Sequence, residues 1–247
     1  MTDQWTMDAW TPFDRGPDGD RSLGAVEAGL QMPLERALLT QRAVRKVLPD
    51  DVDDALVVRC IELALHAPTG SNGQNWEFVV VRDRDTKARI GVQYQRAWSV
   101  YRRAGPRLVG AGQDGESMAK ILRAVQWQVE HFTDVPVVVV ACLRGRPPLV
   151  PLPPVGESSF YGSIYPSVQN LLLAARSMGL GASLVTLPIW STTAIRHILG
   201  LPISVQPCCA VPLGWPRGRY GSTTRKPVGD VVHVDRYGNR PWSTAAR

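Results

Sequence analysis

The chain has 247 residues, of which 44% are hydrophobic and 20% charged. These proportions are ordinary for a soluble globular protein and exclude disordered, collagen-like and disulfide-scaffold classes. Its formal net charge is +6 and its pI about 9.4, a balance that suits nucleic acid, an acidic membrane face or a nucleotide phosphate. The arginines are dispersed, with only Arg42, Arg45, Lys46 and Arg102, Arg103, Arg107 approaching clusters. No zinc-finger spacing or aromatic RNA-binding motif accompanies them, so no nucleic-acid partner is expected. Mean hydropathy is −0.11, and no apolar run approaches the roughly 20 residues of a membrane-spanning helix. Four scattered cysteines without CxxC spacing, and an N-terminus without a leader-like pattern, lead to the expectation of reduced thiols in a cytoplasmic protein.

Residues 1–30 read as an arm, with Trp5, Trp10 and Phe13 among Asp, Gly and Pro. Such a segment is either frayed or docked through its aromatics. A single domain is expected over 31–240, with a short tail over 241–247. Residues 33–40 open a helix, with Pro33 in its first turn. Residues 52–67 form the clearest amphipathic helix, since Leu56, Cys60, Leu63 and Ala64 recur at helical spacing. Asp50 or Asp51 is its expected N-cap, and Pro68 closes it.

The β-branched run 78–81 reads as a buried strand. Residues 85–101 read as a helix, and 102–115, rich in Gly and Arg, as a loop. A further helix is expected over 119–132. The apolar run 137–142 reads as a strand covered on both faces. Residues 147–154 hold five prolines in eight positions and form an extended connection. Residues 165–178 make a strong helix, ended by Gly179 and Gly181. Strands follow over 182–186 and 208–213, with a fifth over 231–234 and a short helix over 192–199. Mixed strands and helices imply an α+β domain with helices on both faces of a sheet.

Common catalytic patterns are absent. There is no P-loop, HExxH or GxSxG, and Gly179-Leu180-Gly181 follows a helix rather than a strand. His66, His131, His197 and His233 lack metal-ligand spacing. An enzyme without these groups relies on a cofactor for its chemistry.

Three segments point to one. They are Gln41-Arg42-Ala43-Val44-Arg45, the stretch 67–76 (APTGSNGQNW), and the stretch 180–188 (LGASLVTLP), with Arg225-Lys226-Pro227 downstream. In this order and spacing, and with the stretch 171–187 (LLLAARSMGLGASLVTL), the sequence resembles the nitroreductase family of FMN-dependent oxidoreductases over about residues 33–237. The resemblance implies an α+β nitroreductase-like fold, with a central, mostly antiparallel sheet flanked by helices. It also implies a homodimer of intertwined subunits with FMN at the interface.

The residue chemistry suits those roles. Arg42, Arg45 and Arg225 offer forked donors for a phosphate and for ribityl oxygens. Family members commonly read Arg-Arg-Ser-x-Arg in the first segment. Here Gln41 and Ala43 remove one positive charge and one hydroxyl, leaving Arg225 or Lys226 to compensate. By resemblance, Pro68, Thr69, Gly70, Ser71 and Asn72 lie along the flavin ring, with Asn72 or Gln74 bracing the loop. Small residues allow the close backbone approach. Thr186 and Leu187 would pass the other edge, with a backbone N–H toward flavin N5. Arg45 would set a positive charge near N1/O2, where reduced flavin is anionic. The pattern around Tyr94 and Gln95 is too loose to assign either of them to the ring.

The implied reaction is ping-pong: NAD(P)H gives hydride to FMN, and a nitroaromatic or quinone-like acceptor takes the electrons. No catalytic side chain or metal is required. Trp98, Tyr101, Phe160, Tyr161 and Trp190 are candidates for the acceptor pocket, although such aromatics more often serve the core. The alternatives are a specialised member of the same fold (flavin reductase, dehalogenase, or dehydrogenase/oxidase) and a non-catalytic flavin store.

Overall fold

The computed structural model describes residues 20–109, 115–145 and 155–243. The arm aromatics, the proline-rich connection and the last four residues of the tail lie outside these.

Eight helices and four strands are described: α1 (Leu23–Ala28), α2 (Leu34–Thr40), α3 (Asp54–Ala64), β1 (Trp76–Val81), α4 (Arg84–Val109), α5 (Gly115–Glu130), β2 (Val137–Arg144), α6 (Val155–Gly162), α7 (Tyr165–Ser177), β3 (Gly181–Ala182), α8 (Thr192–Leu199) and β4 (Val205–Gly214). The strands form one sheet in the order β1-β2-β4-β3, every pair antiparallel. Successive side chains of a strand point to opposite faces, and β2 divides accordingly. Val137, Val139, Ala141 and Leu143 join Leu56 and Cys60 of α3 and Leu171 and Ala175 of α7. Val138, Val140 and Cys142 join Ile90 and Tyr94 of α4, Val129 of α5 and Ile195 of α8. The result is three layers with two cores, as the continuous apolar character of β2 requires. Val26 of α1 is buried in the first core.

Helix α3 starts later than the sequence suggests. Its N-cap is Asp53, whose carboxylate accepts from the Ala55 N–H at 2.8 Å, not Asp50 or Asp51. Those two are engaged elsewhere, Asp50 with Arg21 and Asp51 with Arg82, each at 2.8 Å. Asp53→Ala should lower stability by about 1 kcal/mol. Asp50→Ala, which removes a surface pair, should cost about 0.5 kcal/mol or less. Urea denaturation of the two variants distinguishes them, and equal losses would contradict the cap.

Three further expectations are corrected. Residues 102–109 are helical, not loop, because α4 continues through Arg102 and Arg103 to Val109; Arg and Ala are strong helix formers whatever their polarity. Residues 231–234 form no strand. The amides of Val231 and Val232 both donate to the Val228 carbonyl, and Val231 is 55% exposed. β-branched residues become a strand only beside a partner. The expected strand over 182–186 is shorter and starts earlier: only Gly181 and Ala182 pair with β4 as β3, and beyond them a lone bridge joins Val185 to Ala210. Helix α6, over 155–162, has no counterpart in the sequence reading.

Candidate functional site

After α2 the chain runs extended along the β3 edge. The Val44 N–H donates to the Ala182 carbonyl at 2.9 Å, and the Leu48 N–H to the Trp215 carbonyl at 2.7 Å. Close approach is possible because position 181 is glycine: a Cβ there would lie 2.7 Å from Val44 Cγ1. This edge sets Gln41 half-buried, Arg42 and Ala43 exposed, and Arg45 half-buried. Upstream, the buried Arg176 of α7 donates from Nε to Thr40 Oγ1 at 2.8 Å, and its guanidinium lies 4.0 Å from the Tyr220 ring.

Arg45 is unusual among these residues. Its Nε is buried with no hydrogen-bond partner among the described residues. A donor in that condition costs free energy unless a ligand satisfies it. Burial holds the guanidinium below its ordinary pKa; Tyr94 opposes that shift and Arg42 adds to it. Tyr94 is itself 1% exposed. Burial pushes its hydroxyl up to about 12, against the pull of Arg45, so it is a neutral phenol at physiological pH.

The 186–187 segment belongs to the same neighbourhood. Val185 and Leu187 pack in the second core with Val44, Val47 and Tyr94. Thr186 is exposed and Leu187 half-buried, just where a helical turn begins at Leu187–Ile189. Arg225 and Lys226 are exposed. Thr223 anchors their segment beside the end of α2, through its N–H and Oγ1 on the Leu39 carbonyl at 2.9 and 3.1 Å. Two ends of the chain that sequence spacing keeps far apart, Gln41–Arg42 and Arg225–Lys226, therefore leave from adjacent points.

The turn-rich loop hangs from the other side of the sheet. Its flanks, Ala67 and Trp76, lie in the first core. Pro68, Gly70, Ser71, Asn72 and Gln74 are exposed and Thr69 is half-buried. Ser71, Asn72 and Gln74 all have left-handed backbones, at φ of 51°, 53° and 44°. Each costs on the order of 1 kcal/mol for a non-glycine residue. Hydrogen bonds hold the shape: Gly70 N–H to Ser163 Oγ at 3.1 Å, Gln74 N–H to Thr69 Oγ1 at 3.1 Å, and Gln74 Nε2 to Asn72 Oδ1 at 3.2 Å. Trp76 Nε1 donates to the Ser163 carbonyl at 2.6 Å. Ser163, at the α6–α7 junction, thus supports the loop from below, a role that sequence gave no sign of.

Among the candidate pocket aromatics, Trp98 is 5% exposed and belongs to the core, stacked on Tyr101 at 5.8 Å. Phe160 and Tyr161 meet edge to face at 5.2 Å, and Trp190 is 57% exposed. All four cysteines are free and buried. Burial pushes Cys60, Cys142 and Cys208 up to about 12 and Cys209 upward too, so none serves as a thiolate nucleophile. Among the described residues no group of His, Cys, Asp or Glu is arranged to hold a metal. None of their helices is long and apolar enough to cross a membrane.

A three-layer α+β fold, with an arginine-bearing segment along the β3 edge and a strained turn-rich loop leading into β1 at the opposite edge, is a nitroreductase-type architecture. Comparison with known proteins agrees. The nitroreductase family profile matches residues 38–215. A Methanothermobacter thermautotrophicus protein with the provisional name NADH dehydrogenase/NAD(P)H nitroreductase is 25% identical, covering 86% of this chain and 89% of its own. Zebrafish (Danio rerio) iodotyrosine deiodinase is 26% identical over 78% of this chain and 63% of its own. Among solved structures, an iodotyrosine deiodinase bound to FMN and 3-iodo-L-tyrosine superposes with a TM-score of 0.64 at 19% identity, covering 83% of this chain and 100% of that one. A BluB-like flavoprotein from Clostridium difficile 630 gives 0.62 at 22%, with the same coverage. The chain belongs to the nitroreductase family and is an oxidoreductase of that class.

Proposed function

We propose that this protein is an FMN-dependent oxidoreductase that takes hydride from a reduced nicotinamide and reduces a small aromatic acceptor, nitroaromatic or quinone-like. The observation that carries this reading is Arg45: a half-buried cation with an orphaned Nε, in the stretch whose Val44 and Val47 pack in the second core with Val185 and Leu187. FMN supplies two-electron redox chemistry when bound. The chain's own residues would bind and orient it. Arg42, Arg225 and Lys226, with Gln41 and Ala43 nearby, would hold the phosphate and ribityl end. Arg45 would keep positive charge at the N1/O2 edge, and the Thr186–Leu187 backbone would meet the opposite edge. The pinned loop, Pro68 to Gln74, would present small residues and backbone to the ring.

A homodimer with FMN across its interface is part of the same proposal. The loop's flanks, Ala67 and Trp76, lie in one core and Val44 and Val47, on either side of Arg45, pack in the other, a division that suits a site to which two subunits each contribute one half. A second reading, reductive dehalogenation of an aromatic substrate, is favoured by the iodotyrosine deiodinases among the relatives.

The test is the absorbance spectrum of the protein equilibrated with FMN, followed by anaerobic NADH or NADPH. Flavin bands that stay with the protein on gel filtration and bleach with either donor are expected. A screen of nitroaromatic, quinone and halotyrosine acceptors then separates the two readings. Failure to retain FMN would overturn both.

A further inference from the structure

Burying a charge costs free energy that only partners offset. Arg176 carries a guanidinium into the protein on α7, where the residue is 1% exposed. Its partners come from stretches far apart in the chain. Nε donates to Thr40 Oγ1 at 2.8 Å, and the Thr40 hydroxyl donates in turn to the Arg36 carbonyl at 2.7 Å. The guanidinium carbon lies 4.0 Å from the centroid of the Tyr220 ring, a cation–π contact. Tyr220, itself buried, donates from its hydroxyl to the Leu180 carbonyl just before β3. Further along the same stretch, Thr223 donates to the Leu39 carbonyl from its N–H and its Oγ1. The end of α2, helix α7, the entry to β3 and the 220–223 stretch are therefore tied together. Gln41 and Arg42 directly follow one tie, and Arg225 and Lys226 closely follow another.

We propose that Arg176 and Tyr220 are positioning residues that hold Gln41–Arg42 beside Arg225–Lys226, so that the two pairs grip one phosphate. The inference deepens the FMN reading above and rests on it. Exposed basic side chains on two unlinked segments bind an anion weakly, because both segments must be ordered at the moment of binding. Ties at the base of each segment meet that cost beforehand. Packing alone does not call for them: methionine at 176 would fill much the same space without a charge, and leucine at 220 would cover it without a hydroxyl. Their reach is confined to the phosphate end. The turn-rich loop proposed to lie along the flavin ring is held by separate contacts, with Ser163 on the Gly70 N–H.

Riboflavin, which is FMN without the phosphate, separates this role from a general structural one. The readouts are the affinities for FMN and for riboflavin, by fluorescence titration. Wild type should bind FMN at least about tenfold more tightly than riboflavin, the preference that charge-assisted phosphate contacts give. Arg176→Met and Tyr220→Leu should each weaken FMN binding roughly tenfold and leave riboflavin within about twofold of wild type. Thr40→Val keeps the shape and removes the receiving oxygen, and should weaken FMN about fivefold with the same selectivity. Arg176→Met/Thr40→Val should lose little more than Arg176→Met alone, because one contact joins the two residues. Should Arg176→Met or Tyr220→Leu not fold, Thr40→Val carries the comparison. Equal wild-type affinities for the two flavins, equal losses for both in the variants, or unchanged FMN affinity in folded variants would overturn the positioning role while leaving the FMN reading intact. A wild-type protein that takes up neither flavin would overturn that reading, and this inference with it.

Discussion

Replacing Arg45 with methionine is expected to weaken FMN binding by about 10- to 100-fold while leaving the FMN-free protein at least as stable as wild type. The two effects have one cause. Without a ligand, Arg45 is a half-buried cation whose Nε has no partner among the described residues. Burial already holds its pKa below the ordinary value, a sign that this environment disfavours the charge. Methionine retains much of the length without the charge, so the empty site loses a cost rather than a contact. With FMN bound the balance reverses. Hydrogen bonds to charged groups contribute about 1.5–3 kcal/mol, and each 1.4 kcal/mol is tenfold in affinity. Thermal melts without FMN and titrations with it measure the two halves separately. A variant that loses stability and keeps its affinity would mean that Arg45 is a structural residue.

Gly181→Ala should destabilise the fold by roughly 1–3 kcal/mol, the range of overpacked core substitutions. A Cβ at 181 would lie 2.7 Å from Val44 Cγ1 and 3.2 Å from Val47 Cγ1. Valine is stiff about χ1, and the Val44 amide is tied to Ala182 at 2.9 Å. The side chain cannot swing aside, so the edge segment must move and carry Arg45 with it. FMN affinity should therefore fall together with stability. Combining Gly181→Ala with Val44→Ala should cost less than the sum of the two single changes, because the second removes the atom the first strikes. Urea unfolding of the four proteins in the cycle measures the coupling. Strict additivity would show that the methyl group finds room without Val44 yielding.

Much of the frame is legible in the residues alone. The recurrence of Leu56, Cys60 and Ala64 puts one face of α3 in the core, and Leu171 and Ala175 do the same for α7. The valine run of β2 can only be a strand buried on both faces. Gly179, at φ 78°, ends the turn after α7 as a glycine there should. Helix α6 was not legible, because Gly, Ser and Glu at 156–159 have weak or mixed preferences. Its order comes from contacts distant in sequence: Phe160 and Tyr161 against the first core, and neighbouring Ser163 on Gly70.

Polar pairing was the least legible feature. Asp50, Asp51 and Asp53 are equally good caps by composition; the positions of Arg21 and Arg82 leave Asp53 for the helix. Gln128, in a helix whose other buried residue is Val129, reads as an ordinary surface glutamine until Tyr94 and Ser183 appear on either side of it.

By itself, then, the sequence determined the α+β class, the main helices and strands, and the segments that mark the family. All of these are set by local periodicity, or by short runs whose backbone and side-chain chemistry act over a few residues. Only the tertiary structure decided which carboxylate caps α3, that 231–234 is no strand, that α4 reaches Val109, and that Val44 and Val47 around Arg45 pack in one core while the flanks of the turn-rich loop lie in the other. Caps, strand partners and buried polar rows depend on which groups arrive from elsewhere in the chain. A hydrogen bond or ion pair counts only over a few ångströms, and those distances exist only once the layers have packed.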